Sequence, residues 1–332
     1  MKVKQITFAA RPSGLPDVSV FRFDEVELPP LQEGDVHLKG LYYSVDPYMR
    51  GRMNDVKSYS PPFRLEQPME GGVVAEVVES KDSRFRPGDT VLGPYLPWAQ
   101  EFVIGGDKFQ KIDTSLAPPS YFLGILGMPG LTAYFGLLDI GKPKAGETLV
   151  VSGAAGAVGL VVGQLGKQLG CRVVGIAGTD DKIRMLKEEY GFDEAVNYHT
   201  PDLAAEIGKA CPDGIDIYFD NVGGKVTDAV FKHLNFFARI PLCGQISSYN
   251  ATSEPVGPRI QPVMLTLSIL MQGFIVRNYG ARFAEGIQYL APLVKSGKLK
   301  FTETVVEGFE KLPDALLGLF AGKNTGKMIV KA

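Results

Sequence analysis

Residues 150–159, VVSGAAGAVG, constrain this chain more than any other stretch. They read as the end of a short apolar strand, a tight glycine turn and the start of a helix. The strand, Thr148–Ser152, is rich in β-branched residues, and helical chemistry runs on through Leu169. Glycine in such a turn permits unusual backbone angles and lets the main chain approach a ligand closely. A helix starting there presents unpaired N–H groups and the positive end of its dipole, which suits a pyrophosphate. The spacing is Ala154-x-Gly156-x-x-Gly159, with alanine in place of the first glycine of the usual dinucleotide fingerprint. Two readings stay open on this local pattern: a nucleotide site, or a Gly/Ala-rich packing turn.

An NAD site offers an Asp or Glu at the end of the second strand, where it bonds the ribose 2′-hydroxyl. Here the second strand is Arg172–Ala177, and Gly178 follows it, then Thr179-Asp180-Asp181-Lys182. With no acid at the strand end and a lysine one turn later, a 2′-phosphate is the better guest, so NADPH is expected over NADH. Thr179 or Asp180 capping the next helix, with Lys182 a solvated charge, is the plainer account of the same residues; the two are compatible.

The rest of the chain narrows the class. At 332 residues it can form one large or two ordinary domains. Its 35 basic and 37 acidic residues are scattered and leave a net charge of −2, which argues against a nucleic-acid or membrane-surface footprint. The first residues hold only a short apolar run, too short for a signal peptide. The most apolar segment, residues 121–140, is broken by Pro129 and several glycines and carries Asp139, so a buried helix pair is expected rather than a membrane span. A cytoplasmic protein is the expectation. Three cysteines (171, 211 and 243) and three histidines (37, 199 and 233) are too dispersed for a disulfide framework or a zinc site.

Residues 18–27, 35–43, 72–79, 89–93 and 99–104 look like strands separated by Pro/Gly-rich loops, which predicts a β-rich, barrel-like domain over residues 1–121. From residue 122 to 297 strands alternate with helices. Strands are expected at 148–152, 172–177, 195–197, 215–220, 237–242 and 272–276, and helices at 157–169, 182–190, 204–210, 225–233 and 282–296. That order predicts an α/β fold, a doubly wound parallel sheet of the Rossmann type. The tail, 298–332, carries a strand, a helix and a strand, and is expected to complete the first domain.

With these residues assembled, the chain resembles a zinc-free medium-chain dehydrogenase/reductase, more narrowly the NADPH-dependent alkenal and one double-bond reductases. The resemblance covers nearly the whole length. It is carried by SVDPYMRGRM (44–53), MPGLTAYFGL (128–137), GAAGAVG (153–159), Asn197-Tyr198, DNVGG (220–224), CGQISSYN (243–250) and GKNTGK (322–327). The zinc-dependent cousins carry a cysteine ligand near residues 44–46 and a Gly-His-Glu motif near 69–71; this chain has neither.

The resemblance implies a GroES-like first domain and a cofactor path along the second. Gly156, Ala157, Val158 and Gly159 would hold the pyrophosphate, and Lys182 and Tyr198 the 2′-phosphate. Asn221 would reach the ribose, unless 221–224 is an ordinary turn. Cys243, Gly244, Ile246, Tyr249, Phe274, Val276 and Asn324 would line the nicotinamide half.

The implied reaction is reduction of the C=C bond of an α,β-unsaturated aldehyde or ketone. Charge then develops on the carbonyl oxygen, which calls for a hydrogen-bond donor and exclusion of water. Tyr249 is the protein's best candidate for that donor, with Tyr48 and Arg52 at the mouth of the substrate site. Mammalian and plant members often carry a tyrosine within the segment matching 262–270, where this chain has Thr266, so a smaller pocket of bacterial type is expected. A homodimer formed through the edges of the nucleotide-binding sheets is also implied. Two other functions remain in view: a quinone reductase of the same superfamily, and a low-turnover NADPH-binding sensor or structural protein.

Overall fold

The computed structural model describes residues 1–332. In chain order the elements are β1 (Lys2–Phe8), β2 (Phe21–Glu27), β3 (Asp35–Ser44), α1 (Tyr48–Arg52), β4 (Gln67–Pro68), β5 (Glu70–Ser80), β6 (Thr90–Pro97), β7 (Glu101–Gly105) and β8 (Gln110–Lys111). Then come α2 (Met128–Phe135), β9 (Thr148–Ser152), α3 (Ala157–Gln168), β10 (Arg172–Ala177), α4 (Asp180–Glu188), β11 (Glu194–Asn197), α5 (Leu203–Ala210), β12 (Ile215–Phe219), α6 (Gly224–Val230) and β13 (Leu234–Leu242). The chain ends with α7 (Gln261–Thr266), β14 (Leu270–Gly273), α8 (Phe283–Lys295), β15 (Glu303–Glu307), α9 (Leu312–Phe320) and β16 (Lys327–Lys331). No helix is long and apolar enough to cross a membrane.

Two compact units result. One comprises Met1–Gly124, Glu303–Asn324 and Met328–Ala332; the other comprises Ile125–Thr302 and Thr325–Lys327. The first unit is antiparallel, with a three-stranded sheet in the order β2-β1-β4 and a seven-stranded one in which β15-β16-β3-β5-β6-β8 form the path and β7 pairs with β3. Its core gathers Ile6, Phe8, Leu38, Tyr43, Met49, Met53 and Trp98 under the inward faces of these strands. Alternation along them, one face buried and one wet, is what antiparallel sheets require. β1 lies outside the strands expected from the sequence, and residues 18–20 of the expected 18–27 strand form a 3₁₀ turn instead. There the Asp17 side chain accepts the Ser19 N–H at 2.8 Å.

The second unit carries the parallel sheet, in the order β11-β10-β9-β12-β13-β14. The order reverses at β9, so the crevice beyond the carboxyl ends of β9 and β12 is a ligand position by construction. Central strand β9 is buried at every residue, which explains its unbroken apolar run. Residues 121–140 form a short 3₁₀ turn, Pro119–Leu123, and then α2, which widens into a π-helical turn at Gly136–Gly141. The expected helix pair is thus one helix, because Pro129 sits in the first turn of α2, where its missing N–H costs nothing. Strand β13 also begins earlier than expected, at Leu234, and its pairing with β12 is irregular between Leu234 and Arg239. Phe237, with φ 61°, lies within that irregularity.

Candidate active site

The glycine turn sits at the carboxyl end of β9. Its left-handed residue is Gly153 (φ 60°), one place before the expected first glycine, so Ala154 fits there fully buried. Gly159 is required for a different reason: a Cβ on it would lie 2.4 Å from the Gly153 carbonyl oxygen. Gly156 caps α3 with no side-chain hydrogen bond. The N–H groups of the first turn, which have no intrahelical acceptor, therefore face a side-chain-free approach. This cradle fits a pyrophosphate.

One strand outward, β10 ends at Ala177 and Gly178 follows. A Cβ on Gly178 would stand 2.6 Å from the Tyr198 hydroxyl, so a side chain at the position that holds an acid in NAD sites would require the exposed Tyr198 ring to move aside. Thr179 caps α4, its hydroxyl accepting the Lys182 N–H at 3.3 Å, and Asp180 and Asp181 occupy the first turn. The helix-cap reading of Thr179 therefore holds, and the cap engages only the main-chain N–H of Lys182. Burial lowers the Lys182 pKa, a direction that an adjacent phosphate would reverse. Tyr198 is exposed, its ring tilted against His199 at 4.3 Å between centroids.

Beyond β12, β13 and β14 lies a cavity of about 440 Å³, lined by Cys243, Gly244, Gln245, Tyr249, Phe274 and Asn278 among others. The Tyr249 hydroxyl accepts the Gln245 N–H at 3.2 Å, and a Cβ on Gly244 would come within 3.3 Å of it. Burial pushes the Tyr249 phenol above its usual value, so it stays protonated at neutral pH and can donate. Burial pushes the Cys243 thiol up to about 12, which makes it inert as a nucleophile. Phe274 packs edge-on to Phe219 at 6.2 Å, against a surface Gly136 leaves open: a Cβ there would lie 2.4 Å from the Phe274 ring. Ile246 and Val276 each begin a 3₁₀ turn beside the cavity.

Three residues singled out from the sequence belong to the first unit. Tyr48 opens α1, and burial raises its phenol pKa, with the Asp46 charge adding to the effect. Arg52 closes α1 and is 5 % exposed. Its Nε donates to the Pro61 carbonyl at 2.9 Å, its Nη2 to Glu70 at 2.9 Å, and its guanidinium lies 4.1 Å from the Phe63 ring centre. Asn324 lies in the turn between α9 and β16. Thr266 is exposed on α7, and its hydroxyl is bonded back to the Pro262 and Val263 carbonyls of its own helix.

Sequence reasoning passed over the side chains that hold these strand ends together. Ser152 Oγ accepts the Asn221 N–H at 2.9 Å and donates to Asp220 at 3.1 Å, while Asn221 Nδ2 donates to the Ser152 carbonyl at 2.7 Å. Gly326 N–H donates to the Ala155 carbonyl at 2.8 Å, pinning the glycine turn from a segment far along the sequence. The DNVGG and GKNTGK motifs were visible, but no periodicity tells which polar atoms meet. No group of three or more His, Cys, Asp or Glu side chains is placed to hold a metal ion.

Residues 4–112 match the family described as the N-terminal domain of oxidoreductase, and residues 157–292 the family described as zinc-binding dehydrogenase. The chain is 48% identical to the NADPH-dependent curcumin reductase of Escherichia coli, covering 97% of this chain and 95% of that protein. It is 43% identical to the NADP(+)-dependent 2-alkenal reductase of Nicotiana tabacum, covering 98% and 96%. The crystal structure of CurA in complex with NADPH from Vibrio vulnificus matches with a TM-score of 0.94 and 46% identity over 99% of each chain. An Escherichia coli quinone oxidoreductase shares the fold alone, at 18% identity and a TM-score of 0.78. The chain is a member of the medium-chain dehydrogenase/reductase family, in the group without zinc-ligand motifs to which the curcumin and alkenal reductases belong.

Proposed function

We propose that this protein reduces the carbon–carbon double bond of α,β-unsaturated aldehydes and ketones, using NADPH and no zinc. Family membership over the full length carries the reading, since the nearer relatives named are reductases of curcumin and 2-alkenals. When bound, NADPH supplies the hydride that adds to the β-carbon. Gly156, Ala157, Val158 and Gly159 hold its pyrophosphate, Lys182 and Tyr198 its 2′-phosphate, and Asn221 its ribose. Cys243, Gly244, Ile246, Phe274, Val276 and Asn324 line the nicotinamide half, with Cys243 a packing residue. Tyr249 donates a hydrogen bond to the carbonyl oxygen as charge develops there. Tyr48, at the start of α1, is the substrate-contact candidate of the first unit, and Arg52 braces that helix through Pro61, Glu70 and the Phe63 ring. Helix α7, with Thr266 in place of an aromatic residue, favours small enones over eicosanoid-sized ones.

Two wider features complete the reading. The protein is a homodimer joined through β14, the outer strand of the parallel sheet, whose Leu270 is 48 % exposed beside Phe236 and Phe237 at 66 % and 69 %. It works in the cytoplasm, where its three free thiols stay reduced.

The decisive assay is NADPH oxidation with a small alkenone, with the product identified by mass and NMR. A saturated carbonyl is the expected product. An allylic alcohol, or turnover with quinones alone, overturns the assignment.

A further inference from the structure

At the reversal point of the parallel sheet lies a fully buried carboxylate with no role in the reading above. Asp220 follows β12 and is 0 % exposed. Its Oδ1 accepts from Ser152 Oγ (3.1 Å), the Tyr218 hydroxyl (2.9 Å) and the N–H groups of Val222 (3.0 Å) and Gly223 (2.9 Å). Its Oδ2 accepts from Thr227 Oγ1 at 2.7 Å. Three hydroxyls and two main-chain N–H groups supply protons to it, and an acceptor-only, ionised carboxylate matches that set. None of these partners is a cation, so the charge is solvated by dipoles and not cancelled.

The main chain of Asp220 also touches the cavity wall. The Asp220 carbonyl oxygen accepts the N–H groups of Cys243 at 2.8 Å and Gly244 at 3.1 Å, both cavity-lining residues. Its field reaches that wall, since its charge is among the causes that raise the Cys243 thiol and the Tyr249 phenol. Burial of this kind lengthens the reach of a charge, because little water screens it.

We infer that Asp220 is an electrostatic positioning residue that favours the oxidised, cationic nicotinamide over the reduced, neutral one. The inference rests on the cofactor placement proposed above. The charge ledger is simple: a hydride carries two electrons and one proton from the neutral ring to the β-carbon. The ring is left with one positive charge and the substrate with one negative charge, as an enolate; a proton drawn from solvent, directly or through Tyr249, then reaches the α-carbon and gives the saturated carbonyl. A fixed negative charge nearby stabilises the cationic ring relative to the neutral one. The same carboxylate, through Ser152, fixes the turn at Asn221, so its geometric and electrostatic effects need separate readouts.

The test measures dissociation constants for NADPH, NADP⁺ and 2′-phospho-ADP-ribose, which lacks nicotinamide, by titration calorimetry on the whole protein. In Asp220→Asn, an amide nitrogen at the Oδ2 position can donate to Thr227 Oγ1, so the four bonds at Oδ1 persist while the charge is lost. NADP⁺ should weaken relative to NADPH by about tenfold, the scale of a single partly screened charge pair, with 2′-phospho-ADP-ribose unchanged. Asn221→Asp adds a charge next door and should shift the ratio the opposite way; it also keeps the inference testable if Asp220→Asn does not fold. Ser152→Ala disturbs the geometry and keeps the charge, so it should weaken NADPH and NADP⁺ together. An unchanged ratio in Asp220→Asn, or in Asn221→Asp where Asp220→Asn does not fold, overturns the inference. A wild-type protein that binds neither nucleotide overturns the cofactor reading itself, which is a different result.

Discussion

Tyr249 and Lys182 carry the sharpest residue-scale expectations. The Tyr249 phenol is raised by burial, so its donating form persists through neutral pH and is lost only as pH climbs past that raised value. Turnover should therefore be flat across neutral pH and fall on the alkaline side. Tyr249→Phe should lower kcat by about 10²-fold, the low end for a positioned proton donor, while the NADPH dissociation constant stays within about twofold by the same reasoning. An unchanged kcat would remove Tyr249 from the chemistry. Lys182→Ala should cost about 10–100-fold in NADPH affinity, the range for a hydrogen bond to a charged group, and leave NADH binding as it was. Competition titration with both nucleotides reads this directly. Lys182 was legible because a single rule, an acid or its absence at the end of the second strand, covers its position. Asp220 and Ser152 were not, since a buried polar pair between neighbouring strands has no spacing signature in the sequence.

At the scale of elements, β9, the glycine turn and α3 form one rigid piece whose glycines are fixed by distances, not by flexibility. Gly159→Ala would place a methyl 2.4 Å from the Gly153 carbonyl oxygen and 2.7 Å from Ala154 Cα, against main chain that cannot give way. We expect a loss of about 1–3 kcal/mol of stability, read as a lower thermal midpoint, with weaker NADPH binding. Gly326→Ala meets two obstacles, a φ of 65° and a Cβ 2.0 Å from the Thr302 carbonyl oxygen. It should destabilise by a comparable ~1–3 kcal/mol and loosen the glycine turn through the lost Ala155 bond. A melt and an NADPH titration on the same sample separate the two effects. Strands β9 and β10 were readable to the residue because both are short, β-branched runs that are buried throughout, save the half-buried Arg172 that opens β10. β1 was missed because its first half, KVKQ, is mostly polar while Ile6, Thr7 and Phe8 are buried in succession, so KVKQITF shows no clean alternation. The irregular start of β13 was missed because its exposed Phe236-Phe237 pair breaks the pattern that burial would impose.

For the molecule as a whole, the exposed apolar edge at β14 predicts its assembly. Leu270→Arg puts a cation on that edge, and light scattering should show the proposed dimer falling to a monomer with the thermal midpoint nearly unchanged. A mass that stays that of a dimer places the interface elsewhere. The sequence by itself determined the parallel α/β architecture, the cofactor class and the family. Each of these rests on local signals, namely a glycine turn between strand and helix, the residue after a strand, and motifs in fixed order. Only the tertiary structure decided that five strand ends bring Gly156, Gly178, Asn221, Cys243 and Phe274 to one side of a single sheet, and that a dipole-solvated Asp220 lies behind the cavity wall. Those facts depend on strand order and on which buried polar atoms meet. Both are set by long-range packing, which leaves no periodic trace along the chain.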